Sequence, residues 1–211
     1  IDIGGGWTFG KWYGTGPRGQ IDDDNAPTAD DYARLCSQEI QEEAKKHDLP
    51  LPKLRLEPGR SLSGPSGVAV GTVGAVKQGD KKKWVNLDLS TNHLSWSAAL
   101  DWYYHPVPVV DAMAERSETV DLVGPLCNSD ELGPHVKMPP LERGQRVAFL
   151  DTGGYTEPCA ARYNAQLLPA TVLVCGDRAE ITTAREQFHD IAGRFRVPPR
   201  LLAASFANPG S

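Results

Sequence analysis

Glycines stand at positions 4, 5, 6, 10, 14 and 16, directly after the apolar–acidic–apolar triplet Ile1-Asp2-Ile3. The triplet reads as the end of a β-strand. The glycines that follow permit a loop whose backbone N–H groups can approach a ligand with no Cβ in the way. GGG alone supports two readings, a flexible turn or a cradle for an anion. The next stretch, PTADDYARLCSQEIQEEAKKH, predicts a helix. Thr28 is its N-cap with Asp31 three residues on, acids fill its first turn and Lys45 and Lys46 its last. Tyr32, Leu35, Cys36, Ile40 and Ala44 share one face of that helix. A short strand, LPKLRLEP, follows. One strand, one helix and one more strand cannot close a sheet or bury the helix. The expectation is therefore that the sequence begins in the middle of a domain, with partner strands supplied elsewhere.

The pattern changes after SLSGPSG. GVAVGTVGAVKQGDKKKWVNLDLS alternates about a turn-like QGD and predicts a β-hairpin. ETVDLVGPLC, QRVAFLDTGGY and TVLVCGD predict further short strands, and the proline-rich HPVPVV and GPHVKMPPLERG read as connectors. This places a boundary near residue 62. Residues 1–62 read as an incomplete α/β domain and residues 63–211 as a β domain, a barrel or sandwich.

At 40% hydrophobic and 23% charged residues, the 211-residue chain has the make-up of a globular protein. A net charge of -5 argues against a general nucleic-acid-binding surface, and no apolar run is long enough to span a bilayer. Cys36, Cys127, Cys159 and Cys175 form no CxxC pair and no zinc-type cluster, so no metal site is expected. They read as reduced thiols, which points to the cytoplasm. The KKK at 81–83 and the DDD at 22–24 read as solvated loop charges.

EPGR at 57–60 sharpens the case for the glycine loop. It sets an acid, a tight turn and a base together at a strand end, where parallel α/β barrels carry their sites. GPLCNSDELG (124–133), FLDTGGYTEPCAARYN (149–164), VLVCGD (172–177) and the closing AEITTAREQF complete an ordered set. With IGGGW and EPGR, that set resembles the fold-type III pyridoxal-phosphate decarboxylases, above all the diaminopimelate decarboxylase group.

The resemblance implies the last strands of an alanine-racemase-type (β/α)8 barrel followed by the family's C-terminal β domain. It implies pyridoxal 5'-phosphate (PLP) as cofactor, a small amino acid as substrate, and a homodimer with a shared active site. On this pattern Gly4, Gly5 and Gly6 hold the cofactor phosphate. Glu57 faces the pyridine nitrogen. Gly59 and Arg60 lie near phosphate and substrate, and Tyr155 touches the phosphate. Cys127 reaches across the dimer to deliver a proton to the carbon that has lost CO2. Asp88 faces the mouth of the site, although an exposed strand acid is an equal reading.

Departures from the pattern bear on the substrate. Asn128 stands where the family has a glutamate for the distal end of its substrate, and residues 84–110 hold no Arg or Lys where the family has an arginine for the distal carboxylate. A diaminopimelate end group would meet unpaired neutral groups there. Trp96, Trp102, Tyr103 and Tyr104 suit a larger or less charged group, or aromatic core packing. No lysine matches the family's Schiff-base position, so the resemblance implies an N-terminal half, on this or another polypeptide, that carries it. The expected function is decarboxylation with altered distal selectivity, as in natural-product or siderophore pathways. The alternatives are meso-diaminopimelate decarboxylation, racemisation, and an inactive homologue that works by binding a partner.

Overall fold

The computed structural model describes residues 1–7, 27–99 and 102–202. Glycines 10, 14 and 16 and the DDD at 22–24 lie outside the described residues. The chain divides into two compact units, Ile1–Ala161 and Arg162–Ser211.

The first unit begins with a parallel pairing. Ile3 N–H donates to the Arg55 carbonyl (3.2 Å), Arg55 N–H to Ile1 (2.9 Å) and Glu57 N–H to Gly4 (2.9 Å). The LPKLRLEP segment, expected as a strand, is reduced to a single bridge between Asp2 and Arg55. Between the two segments lies α1 (Ala29–Lys46), opened by the expected capping box. Thr28 Oγ1 accepts from Asp31 N–H at 3.1 Å, and Asp31 Oδ2 accepts from Thr28 N–H at 3.0 Å. The apolar face predicted for α1 is only partly covered in this chain, with Tyr32, Cys36 and Ile40 half-buried. Ala44 is its one buried residue, Tyr32 stacks on Trp7 with ring centroids 5.4 Å apart, and Leu35 is exposed.

A short helix, α2 (Arg60–Ser63), and a 3-10 turn (Gly64–Ser66) lead into the sheet. Its strands are β1 (Val68–Gln78), β2 (Lys83–Leu87), β3 (Pro106–Pro108), β4 (Glu118–Val123), β5 (Glu131–Met138) and β6 (Arg146–Leu150), with α3 (Ser95–Ala99) between β2 and β3. The order is β3-β6-β1-β2-β4-β5, and every pair is antiparallel except β2–β4. The eleven-residue β1 pairs with β2 through its C-terminal half and with β6 through its N-terminal half. A register shift at Gly74 bends it between them. The two edge strands β3 and β5 approach one another, so the mixed sheet curls into a nearly closed barrel. Inside it lie Val73, Val85, Leu87, Val120, Leu122, Val136, Met138, Val147 and Phe149, with Tyr104 and Leu94 from the β2–β3 crossover. Each such side chain, once buried, contributes roughly 1.5–3 kcal/mol.

The predicted β1–β2 hairpin and the strands over ETVDLV, RVAFL and TVLVC are present. Two connectors are corrected: HPVPVV contains β3, and GPHVKM lies within β5. The lysine run is corrected as well. Lys82 pairs with the buried Asp121 (2.8 Å) and Lys83 with Glu118 (2.5 Å), joining the start of β2 to β4.

The second unit holds an antiparallel hairpin, β7 (Thr171–Cys175) with β8 (Arg178–Thr183), closed by a two-residue turn in which Gly176 takes φ +61°. The short helices α4 (Phe188–Ala192) and α5 (Pro199–Leu202) follow. Within this unit Arg162 pairs through two of its nitrogens with Glu186, which also accepts Leu168 N–H.

Candidate active site

The glycine turn is built by local chemistry. Asp2 Oδ1 accepts Gly4 N–H at 2.9 Å, and Gly4 and Gly6 take φ +69° and +82°, a region that side-chain-bearing residues enter at a cost. Gly5 is constrained by proximity instead. A Cβ there would lie 2.1 Å from the Glu57 carbonyl oxygen. The turn is thus pressed against the segment that carries Glu57, whose side chain is exposed.

Pro58-Gly59 then turns the chain into α2. A Cβ on Gly59 would lie 2.9 Å from the Tyr155 hydroxyl, so that hydroxyl stands directly over the turn. The DTGGY loop after β6 is held there by backbone bonds, Thr152 N–H to Gly67 (3.0 Å) and Gly153 N–H to Gly64 (3.0 Å). Gly153 itself leaves no room for a Cβ, which would meet the Ser63 carbonyl at 1.8 Å. Tyr155 takes φ +64°, a strained conformation for a bulky residue that is held by its surroundings.

Aromatic rings surround the cation. The Arg60 guanidinium carbon lies 3.7 Å from the centroid of Trp102. Trp102 stacks on Tyr104 (6.1 Å) and meets Trp96 edge-on (5.5 Å), and Trp96 stacks on Tyr155 (4.4 Å). Burial lowers the Arg60 pKa, with the phenols of Tyr155 and Tyr104 acting in the opposite direction. Burial also raises the Tyr104 hydroxyl to about 12. Arg60 Nε, Ser61 Oγ and the Tyr104 hydroxyl are buried without hydrogen-bond partners. A half-buried cation set on an aromatic face, with hydrogen-bonding capacity left over, fits a phosphate-bearing ligand.

The structure therefore sets the Gly4–Gly6 turn against Glu57 and the Tyr155 hydroxyl over Gly59, next to Arg60, with only Pro58 between Glu57 and Gly59. Cys127 and Asn128 stand on a different loop, between β4 and β5, and both are exposed. Asp88 directly follows β2, where its Oδ1 accepts Thr72 N–H at 2.6 Å and its own N–H donates to the Thr72 carbonyl at 3.0 Å. That carboxylate extends the hairpin ladder. Trp102 was legible only as an aromatic, not as the platform under Arg60. Asp130, the buried residue that ties down the Cys127 loop, gave no local signal, because its partner Thr91 is 39 residues away.

The family model for the pyridoxal-dependent decarboxylase C-terminal sheet domain matches residues 26–153. The chain belongs to the pyridoxal-dependent decarboxylase family. Among the curated members of this family it is similar to diaminopimelate decarboxylase of Archaeoglobus fulgidus, with 37% identity over 96% of this chain and 46% of that protein. It is 32% identical to the Methanocaldococcus jannaschii diaminopimelate decarboxylase over 74% of this chain and 36% of that one. The crystal structure of the M. jannaschii decarboxylase superposes with a TM-score of 0.81 at 29% identity, covering 95% of this chain and 43% of that one. The chain thus spans less than half the length of these decarboxylases.

Proposed function

We propose that this chain is part of a PLP-dependent amino-acid carboxy-lyase of the diaminopimelate decarboxylase type. On this reading residues 1–62 are the closing part of its cofactor-binding barrel. The observation that carries the reading is the Gly4–Gly6 turn pressed on Glu57, followed at once by Gly59 under the Tyr155 hydroxyl and by Arg60, a cation whose Nε has no partner.

Gly5 and Gly6 would hold the cofactor phosphate through their N–H groups, with Gly4, whose own N–H is taken by Asp2, shaping the turn and Arg60 and Tyr155 completing the grip. When bound, PLP supplies the electron sink that accepts the electron pair of the Cα–carboxylate bond as CO2 leaves. Glu57 would keep a proton on the pyridine nitrogen. The Cys127 thiol would then deliver a proton to Cα, so that one C–C bond breaks, one C–H bond forms, and the thiolate is reprotonated from solvent. We further propose a homodimer in which Cys127 serves the partner's site.

The distal end of the substrate is read as neutral or apolar. Asn128 carries no charge, and the segment without Arg or Lys presents Trp96 and Trp102 against Tyr155 and Arg60. A site built for a neutral group rejects a charged one that nothing pairs. The names of the relatives favour a second reading, meso-diaminopimelate as substrate. Ratios of kcat/KM for CO2 release from meso-diaminopimelate, lysine and a panel of neutral and conjugated amino acids separate the two. The proposal expects the neutral set to lead, and Asn128→Glu to shift the ratio toward diamino acids. A native preference for meso-diaminopimelate overturns the altered selectivity.

A further inference from the structure

Cys127 can act as a proton donor only if an exposed loop holds it in one place, and one buried side chain ties that loop down on both sides of the thiol. Asp130 is 5% exposed, whereas Cys127, Asn128 and Ser129 are exposed. Its Oδ1 accepts two hydrogen bonds from Thr91, one from the backbone N–H and one from the hydroxyl, both at 2.7 Å. Its Oδ2 accepts the N–H of Leu126, the residue before Cys127, at 2.9 Å. Its own N–H donates to the Asn128 carbonyl, the residue after Cys127, at 2.8 Å, and its carbonyl accepts Gly124 N–H at 2.8 Å. Cys127 is thereby clamped on both sides by one residue. That residue is anchored in the buried segment Ser90–His93, which follows Asp88. Gly124 makes the arrangement possible, since a Cβ there would lie 2.1 Å from Asp130 Oδ2.

We infer that Asp130 is the positioning residue for Cys127, setting the place of the thiol through Leu126 and Thr91. The inference rests on the reading of Cys127 as the proton donor. The carboxylate is well chosen for the task. It offers only acceptors to three donors, whereas an amide would turn an NH2 group toward at least one of them. Holding a reacting group in register is worth large factors in rate, and misplacement by about 1 Å costs on the order of 10²-fold.

The test uses the PLP-loaded holoenzyme and four variants: Asp130→Asn, Thr91→Val, Thr91→Ser and Cys127→Ala. The readouts are kcat and KM for CO2 release, the PLP Kd by absorbance titration, and the alkylation rate of Cys127 by iodoacetamide, followed by peptide mass mapping. Asp130→Asn should lower kcat by about 10²-fold, leave the PLP Kd unchanged and alter the Cys127 alkylation rate. Thr91→Val, which loses only the hydroxyl bond, should do the same to a smaller degree, and Thr91→Ser should restore both. Should Asp130→Asn fail to fold, the Thr91 pair reads the same coupling. Unchanged alkylation in Asp130→Asn or Thr91→Val overturns the inference. So does a fall in kcat that is matched by lost PLP binding and not rescued by serine. If Cys127→Ala keeps full kcat while alkylation still responds to residues 91 and 130, the proton-donor reading falls and the positioning stands.

Discussion

The guanidinium carbon of Arg60 lies over the indole of Trp102, 3.7 Å from its centroid, and this contact fixes where the cation stands. Such a contact contributes about 0.5–2 kcal/mol. Trp102→Leu should therefore raise the PLP Kd by roughly 2- to 30-fold, and Trp102→Phe should recover part of the loss. Fluorescence or absorbance titration reads this directly. An unchanged Kd in Trp102→Leu would remove the indole from the account of cofactor binding.

Gly5 should be the least replaceable residue of the glycine turn. Its Cβ position lies 2.1 Å from the Glu57 carbonyl oxygen, a backbone atom that cannot swing aside. Gly5→Ala must push the two segments apart, at a cost of about 1–3 kcal/mol, and should weaken PLP binding as well as lower Tm. Differential scanning fluorimetry with and without PLP checks both effects. A Tm and a PLP shift equal to those of the unmodified protein would contradict the close pairing of residues 2–4 with 55–57.

The pH dependence of stability should carry the mark of His105. Its ring is buried, with Nδ1 unpartnered, and burial followed by the nearby Arg116 charge lowers its pKa from 6.5 to about 4. The folded form holds the ring neutral while the unfolded chain takes up a proton below its ordinary pKa. Stability is therefore fully present above pH 6.5 and is lost as the pH falls from 6.5 toward 4. His105→Phe should flatten that part of the profile. Urea midpoints measured across this range test it, and an acid limb of undiminished slope in His105→Phe would assign the loss to other groups.

These contrasts also mark what a sequence of this kind reveals. The α1 start was legible because Thr28 and Asp31 act on each other three residues apart. The β1–β2 hairpin was legible because alternation and a turn lie in one stretch. The two strands misread as connectors, β3 and β5, contain Pro106, Pro108 and Pro134, and both are edge strands. A proline there removes no ladder hydrogen bond that the sheet needs, so it stops being a breaker at an edge. The lysine pairs with Asp121 and Glu118 depend on the parallel β2–β4 pairing, a long-range fact with no local signature. Among the candidate site residues, the glycine turn and EPGR were legible as motifs. That Trp102 would lie under Arg60, and Asp130 beneath the Cys127 loop, follows only from the fold.

We propose that this chain belongs to a carboxy-lyase in which Cys127 protonates the carbon left by CO2. The measurement is CO2 release per second by the PLP-loaded holoenzyme and by its Cys127→Ala variant, at matched cofactor occupancy and on the best substrate of the amino-acid panel. The unmodified enzyme should release CO2 steadily, and Cys127→Ala should do so at a rate about 10²- to 10⁴-fold lower with an unchanged PLP Kd. Equal rates in the two proteins, or no CO2 from a fully PLP-loaded enzyme on any member of the panel, would contradict it.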